Sequence, residues 1–320
     1  MVRTLFIAGN GRSGSTILHN ILGQIDGFAA VGELRYIWGR AAIDNQLCGC
    51  GERFRDCPFW DKVMTHAFGG LDLAYARRMY DAIESFRLRN LPLMAAPVTH
   101  RRELTRLAEY LEGLARLYAG IQHVSGSRII VDSSKNPSYG YLLRYVHGVE
   151  PYYLHLVRDV PAVAYSWGKH QDFEPGVPMA RKSAAASALQ WLARNTAAEM
   201  FLRRSASPWL QMRYEDFVSH PRNHVRSMLE WLGEPSDSLP FTSSHEANVD
   251  RRNHSVFGNR ARFRVGPVII SADEQWRTQL STRDRRTVTA LTWPLRAYHG
   301  YTGPTRLVSR PATAAATRGD

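Results

Sequence analysis

Residues 9–16 read GNGRSGST, and they are the first place where residue type and spacing suggest chemistry. Gly9, Gly14 and the hydroxyl of Thr16 keep the spacing G-x-x-x-x-G-x-[ST] of a phosphate-binding loop. In such a loop the backbone N–H groups converge on one spot, and the dipole of the following helix adds positive potential there. Arg12, Ser13, Gly14, Ser15 and Thr16 are therefore the candidate anion ligands. A nucleoside-triphosphatase loop places Lys directly before the final hydroxyl to reach the β and γ phosphates. Here that position is Ser15, and Arg12 is the only cation in the loop. A triphosphate would be poorly neutralised, so a diphosphate-like group of lower charge suits the loop better. The bland alternative is a Gly-Ser turn without a ligand.

A second anion site is readable in residues 156–167, LVRDVPAVAYSW. Arg158 ends an apolar run, and Ser166 follows eight residues later in a helical stretch. Asp159 or a neighbour is placed to cap that helix, with Pro161 in its first turn. A guanidinium at a strand end and a hydroxyl two turns into the next helix can meet on one phosphate. Alone, an Arg-Asp pair in this position reads as a surface ion pair. Together with the first loop it makes two oxyanion cradles at the carboxyl ends of strands, where α/β sheets bind ligands.

The elements that must hold these residues are also legible. Short apolar runs at 4–8, 28–31, 128–131, 152–157 and 209–212 predict strands, each followed by a helix-like stretch or a long insertion. Ile17, Leu18, Ile21 and Leu22 predict a helix over 15–22. Residues 72–90 and 101–121 have three-to-four apolar spacing and predict amphipathic helices, part of a cap spanning about 61–125. A long Ala-rich helix is predicted over 180–204. The expected fold is α/β: a P-loop type parallel β-sheet of about five strands, flanked by helices, with a helical cap insertion. Residues 1–301 read as a single unit. Gly266 and Pro267 mark a region that reads as loop, and 302–320, rich in Ala, Thr, Arg and Pro, reads as a flexible tail.

Composition bounds the possibilities. The 320 residues are 44% hydrophobic and 22% charged, which excludes global disorder. Net charge is 41 − 29 = +12, which suits an anionic partner or simply reflects an Arg-rich composition. A nucleic-acid-binding protein would show a basic stripe with aromatic platforms or a reader motif, and the charges are instead spread along the chain. No apolar stretch approaches the roughly 18 residues of a membrane span, and residues 2–8 are too short for a signal segment. A cytoplasmic protein is expected.

The two phosphate motifs resemble those of the sulfotransferase family that uses 3′-phosphoadenosine 5′-phosphosulfate (PAPS). GRSGST is similar to its 5′-phosphosulfate loop, and LVRDVPAVAYS to its 3′-phosphate segment, with Arg and Ser at the same separation. VGELR at 31–35, DSSKNP at 132–137, WLARN at 191–195, RYEDF at 213–217 and RFRVGP at 262–267 resemble the bacterial and tyrosylprotein-type branches, in order across roughly residues 4–280. The resemblance implies PAPS as co-substrate, a hydroxyl-bearing acceptor (carbohydrate, lipid, phenol or peptide) and no metal. It implies Glu33 as the base, Lys135 as a contact to the transferring sulfonate, and Arg12 as the neutraliser of the leaving phosphate. Ser255 resembles a leaving-group contact, and Arg264 with Gly266 resembles a late loop that grips the 3′-phosphate. The spacing from Glu33 to Arg35 differs from the family pattern by one. His19, His155, His170 and His254 are alternative bases, but residues 131–137 contain no His, which favours Glu33. His155, inside a strand pattern, reads as a packed core residue. The competing function is a P-loop kinase or NTPase.

All three cysteines, Cys48, Cys50 and Cys57, fall within ten residues in CGCGERFRDC. C-x-C-x6-C is not a standard finger spacing. Reduced thiols or one local disulfide in a structural role rank above zinc, and all three states stay open.

Overall fold

Five apolar runs form the centre of the computed structural model, which describes residues 1–301 apart from Pro175, Arg251 and Arg252. The predicted tail at 302–320 lies outside the described residues. The strands are β1 (Val2–Gly9), β2 (Phe28–Gly32), β3 (Ile129–Lys135), β4 (Val149–Val157) and, after a short hairpin, β7 (Trp209–Arg213). They pair in parallel in the order β2-β3-β1-β4-β7. Strand β1 is apolar at consecutive positions because both its faces are covered. Phe6 and Ala8 join one core, while Leu5 and Ile7 join the other.

Helices cover both faces. α1 (Ser15–Leu22) follows the glycine loop with the predicted bounds, and Leu18, Ile21 and Leu22 are buried beneath it. Between β2 and β3 lie α2 (Pro58–Phe68), α3 (Leu73–Ser85), α4 (Pro97–Arg106) and α5 (Ala108–Ser125), so the cap insertion is present. The two long helices expected there are more divided. A 3₁₀ stretch containing Pro92 separates α3 from α4, because Pro cannot continue a helix ladder. Asp72 caps α3 by accepting from the Ala74 N–H at 2.8 Å.

Beyond β3 come α6 (Pro137–Leu142), then β4, then α7 (Val160–Gly168). The hairpin β5 (Asp172–Glu174) and β6 (Val177–Pro178) precedes α8 (Ala184–Leu202). After β7 come α9 (Tyr214–Ser219) and α10 (Pro221–Leu232), the ribbon of β8 (Glu246–Val249) and β9 (Gly266–Ile269), and finally α11 (Trp276–Gln279) and α12 (Thr282–Tyr298). Residues 266–267, expected in a loop, belong to β9 and pair with Val249 and Asn248. A two-stranded ribbon tolerates the missing N–H of Pro267. One further piece of sheet has no strand-like sequence. Val256 pairs alongside β2, accepting from the Glu33 N–H at 2.7 Å and donating to the Val31 carbonyl at 2.8 Å.

Candidate active site

The glycine loop joins the carboxyl end of β1 to α1. Gly14 is the N-cap of α1 with φ +84°, and a Cβ there would lie 2.3 Å from the Tyr214 ring. Only glycine meets both conditions. The Ile17 N–H turns back to the Gly14 carbonyl at 3.1 Å, while the N–H groups of Ser15 and Thr16 at the helix start precede any helical carbonyl they could meet. Beside them Ser13 Oγ is buried with no hydrogen-bond partner among the described residues. A buried hydroxyl left open at a helix N-terminus fits an anionic ligand.

The second motif closes on the first. Arg158, just past β4, donates through Nη1 to the Arg12 carbonyl at 3.2 Å and stacks over Tyr214 at 4.4 Å. Its Nε is buried without a partner among the described residues. Ser166 Oγ, on α7, accepts from Arg12 Nε at 2.9 Å. Arg12 also reaches Met179 and Gln171 of the β5–β6 region. Burial first, and the neighbouring Arg158 charge second, lower the Arg12 guanidinium to about 10. A partly buried guanidinium beside a buried one of like charge is the arrangement an anion relieves. Asp159 stands at the N-cap of α7, with Pro161 in the first turn. Its carboxylate, however, takes a bidentate pair with Arg296 at 2.7 and 3.0 Å and makes no cap bond.

Glu33 and Lys135 meet at the carboxyl ends of β2 and β3. Lys135 Nζ lies 2.6 Å from Glu33 Oε1 and 2.6 Å from the Ser133 carbonyl, and both residues are buried. The register of β3 against β1 shifts between Phe6 and Ala8, and Lys135 has φ +61°. A bulge of this kind re-aims a side chain, and the left-handed backbone of a non-glycine residue stores about 1–2 kcal/mol. The preceding Asp132 anchors the turn, accepting from the Ser134 N–H at 2.9 Å and from Tyr118 Oη of the cap at 2.7 Å. Its burial raises the carboxyl to about 6.

Ser255 faces the same centre from the added edge beside β2. It accepts from His19 Nε2 at 2.8 Å and donates to Asn253, which fixes the proton on Nε2. Burial, then the Lys135 charge, lower His19 to about 3, so it is neutral. Asn253 and Tyr214 are the neighbours that sequence reasoning left out of the site, whereas His19, an alternative base on sequence, stands here as the neutral partner of Ser255. Tyr214 could have been suspected from RYEDF at a strand end.

Other candidates fall elsewhere. Arg35 pairs with Glu84 of the cap at 3.0 Å. Arg264 is exposed, while Arg262 is the buried arginine of its segment, held by Glu174 and by the Phe173 and Gly258 carbonyls. His155 is buried in β4 between Glu199 and Asn195. His170 contacts Arg181 at the surface. The three cysteines gather next to the Ser255 edge with His254.

A parallel sheet with a phosphate-type loop at the end of its central strand, and a buried arginine at the end of the neighbouring strand, is a framework suited to an anionic ligand. The family model described as "Sulfotransferase family" matches residues 4–238, and the chain belongs to that family. The nodulation protein NoeE of Sinorhizobium fredii (strain NBRC 101917 / NGR234) is 27% identical over 194 residues, 54% of this chain and 44% of that protein, so the chain spans less than half of that relative. Two solved structures share the fold. The sulfotransferase domain from the curacin biosynthetic pathway is 17% identical with a TM-score of 0.50, covering 91% of this chain and 98% of that one. The sulfotransferase domain of the Synechococcus PCC 7002 olefin synthase is 20% identical with a TM-score of 0.50, covering 92% and 94%. Among the described residues no helix is long and apolar enough to cross a membrane.

Proposed function

We propose that the protein transfers the sulfuryl group of PAPS to a hydroxyl of an acceptor, with residues 1–301 acting as one unit. The observation that carries this reading is the convergence of Arg12, Arg158 and Ser166 beside the open hydroxyl of Ser13. Two motifs far apart in sequence thus serve one phosphorylated ligand. The loop would hold the 5′ end, and Arg158 with Ser166 the 3′-phosphate. The lack of a loop Lys argues against a nucleoside triphosphate. When bound, the donor supplies the sulfuryl group. Arg12, Arg158 and the loop amides bind its anionic ends. Lys135 engages Glu33 Oε1, so Glu33 Oε2 takes the proton of the acceptor hydroxyl. Lys135 has three N–H donors, two of them on Glu33 and Ser133, which leaves one to direct at developing charge.

Thermal unfolding with 3′,5′-adenosine diphosphate, 5′-AMP and ADP tests the reading, repeated on Arg158→Ala. The 3′-phosphorylated nucleotide stabilises preferentially, by about 2.7 kcal/mol at a hundred times its Kd. In the variant that preference disappears. Equal stabilisation by ADP overturns the assignment.

A further inference from the structure

We propose that Cys48, Cys50, Cys57 and His254 form a closed tetrahedral zinc site that pins one edge of the active site. The four ligand atoms all lie within 4.8 Å of one another. Cys50 and Cys57 Sγ are 3.6 Å apart, and Cys57 and Cys48 Sγ 3.7 Å. His254 Nδ1 is 3.3 Å from Cys57 Sγ and 3.7 Å from Cys48 Sγ. With Zn–S near 2.3 Å and Zn–N near 2.05 Å, tetrahedral geometry places sulfurs about 3.8 Å apart and sulfur and nitrogen about 3.6 Å apart. Cys48, Cys50 and Cys57 form no disulfide in this arrangement.

The surroundings are those of metal-bound thiolates. Backbone N–H groups point at each sulfur: that of Cys50 at Cys48, that of Glu52 at Cys50, and that of Trp60 at Cys57. Cys57 is also the N-cap of α2, which sets it at the positive end of a helix. The His254 ring stacks on Phe59, with centroids 4.4 Å apart and planes 11° apart, and its carbonyl accepts from Trp60 Nε1 at 3.0 Å. Such outer contacts fix ligand orientation. Three thiolates and a neutral imidazole around Zn²⁺ carry a net charge of −1, and the buried Arg262 lies close enough to feel the Cys48 charge. Binding releases the three thiol protons to solvent, with no change of oxidation state. Soft sulfur ligands in a tetrahedron select zinc over hard cations, and four protein ligands leave no open position, so the ion is structural.

Its place gives it a purpose. His254 directly precedes Ser255 and Val256, the residues that meet His19 and extend β2 beside Glu33. Gly49, between two of the ligands, donates to the Ser255 carbonyl at 3.0 Å, and a Cβ there would lie 2.2 Å from Asn253 Oδ1. The cysteine loop is thus docked backbone to backbone on the site's edge, and the metal would lock that contact. C-x-C-x6-C offers only three ligands. The fourth comes from 197 residues beyond Cys57, a ligand that the spacing alone does not reveal.

Metal analysis of the full chain, purified under reducing conditions and dialysed, should find one zinc per chain. Replacement by Co²⁺ should give the intense visible bands and thiolate-to-metal charge transfer of a tetrahedral sulfur-rich site. His254→Ala should weaken zinc binding roughly 100-fold or more, and His254→Cys should restore it. Metal-free protein with three alkylatable thiols, a disulfide detected by mass, iron in place of zinc, or undiminished zinc affinity in His254→Ala each overturn the proposal. The first two measurements use the unaltered chain, so a variant that fails to fold does not blunt the test.

Discussion

Glu33 and Lys135 illustrate how a buried ion pair can hold chemistry in reserve. Their nitrogen and oxygen lie 2.6 Å apart with little solvent access, so deleting one partner strands a charge, at a cost of about 3–5 kcal/mol. Glu33→Gln keeps the volume and an oxygen for Lys135 but cannot accept a proton. It should lower sulfuryl transfer by at least roughly 100-fold, while the stabilisation by 3′,5′-adenosine diphosphate is unchanged. Loss of nucleotide binding in parallel would make Glu33 a structural residue. Lys135→Met leaves a buried carboxylate unpaired, so it should lower stability in urea by several kcal/mol as well as activity. The wild-type backbone at Lys135 is already left-handed. Lys135→Gly would relieve that strain, yet it should be equally inactive, which separates the role of the amine from that of the turn.

The segment DSSKNP shows what a helix start contributes to the site and how far sequence can be read. Asn136 caps α6, its side chain accepting from the N–H groups of Ser138 and Tyr139 at 3.0 and 3.2 Å. Asn136→Ala should lower the unfolding free energy by about 1 kcal/mol in urea, because two N–H groups lose their acceptor next to the Lys135 turn. That cap, the five core strands and the loop-to-helix step at Gly14 leave local signatures in residue type and period. The Val256 extension of the sheet does not, since it is made of two backbone hydrogen bonds and needs no particular side chain. The strand β9 was hidden by Gly266 and Pro267, residues that punctuate loops but also suit an edge ribbon. The meeting of Arg12 with Ser166, and of His254 with the cysteines, depends on chain crossings over more than 150 residues, which no local pattern encodes.

Across the whole molecule, burial of titratable groups sets how stability answers acid. His19 and His299 are held neutral, both lowered to about 3 by burial first, with Lys135 adding to the effect at His19 and His155 at His299. Their ordinary value is 6.5, so from pH 6.5 downward the unfolded chain takes up two protons that the folded chain refuses, and stability falls on acidification. Asp132 acts in the opposite sense. Its carboxyl, raised by burial from 3.8 to about 6, binds a proton in the folded state first, so its contribution grows as pH drops through 6. Between pH 6.5 and 5 these three groups leave a net uptake of about one proton on unfolding, or a loss of about 1.4 kcal/mol per pH unit. His299→Gln, remote from Glu33 and Lys135, should remove one proton from that balance and flatten the three groups' share of the profile. Asp132→Asn should steepen it, toward about 2.7 kcal/mol per unit as pH 5 is approached. Urea unfolding of the three proteins at half-unit steps from pH 6.5 to 5 checks both signs at once. Identical slopes would mean that these side chains are solvated in the folded protein, contrary to the burial that also keeps His19 uncharged beside Ser255.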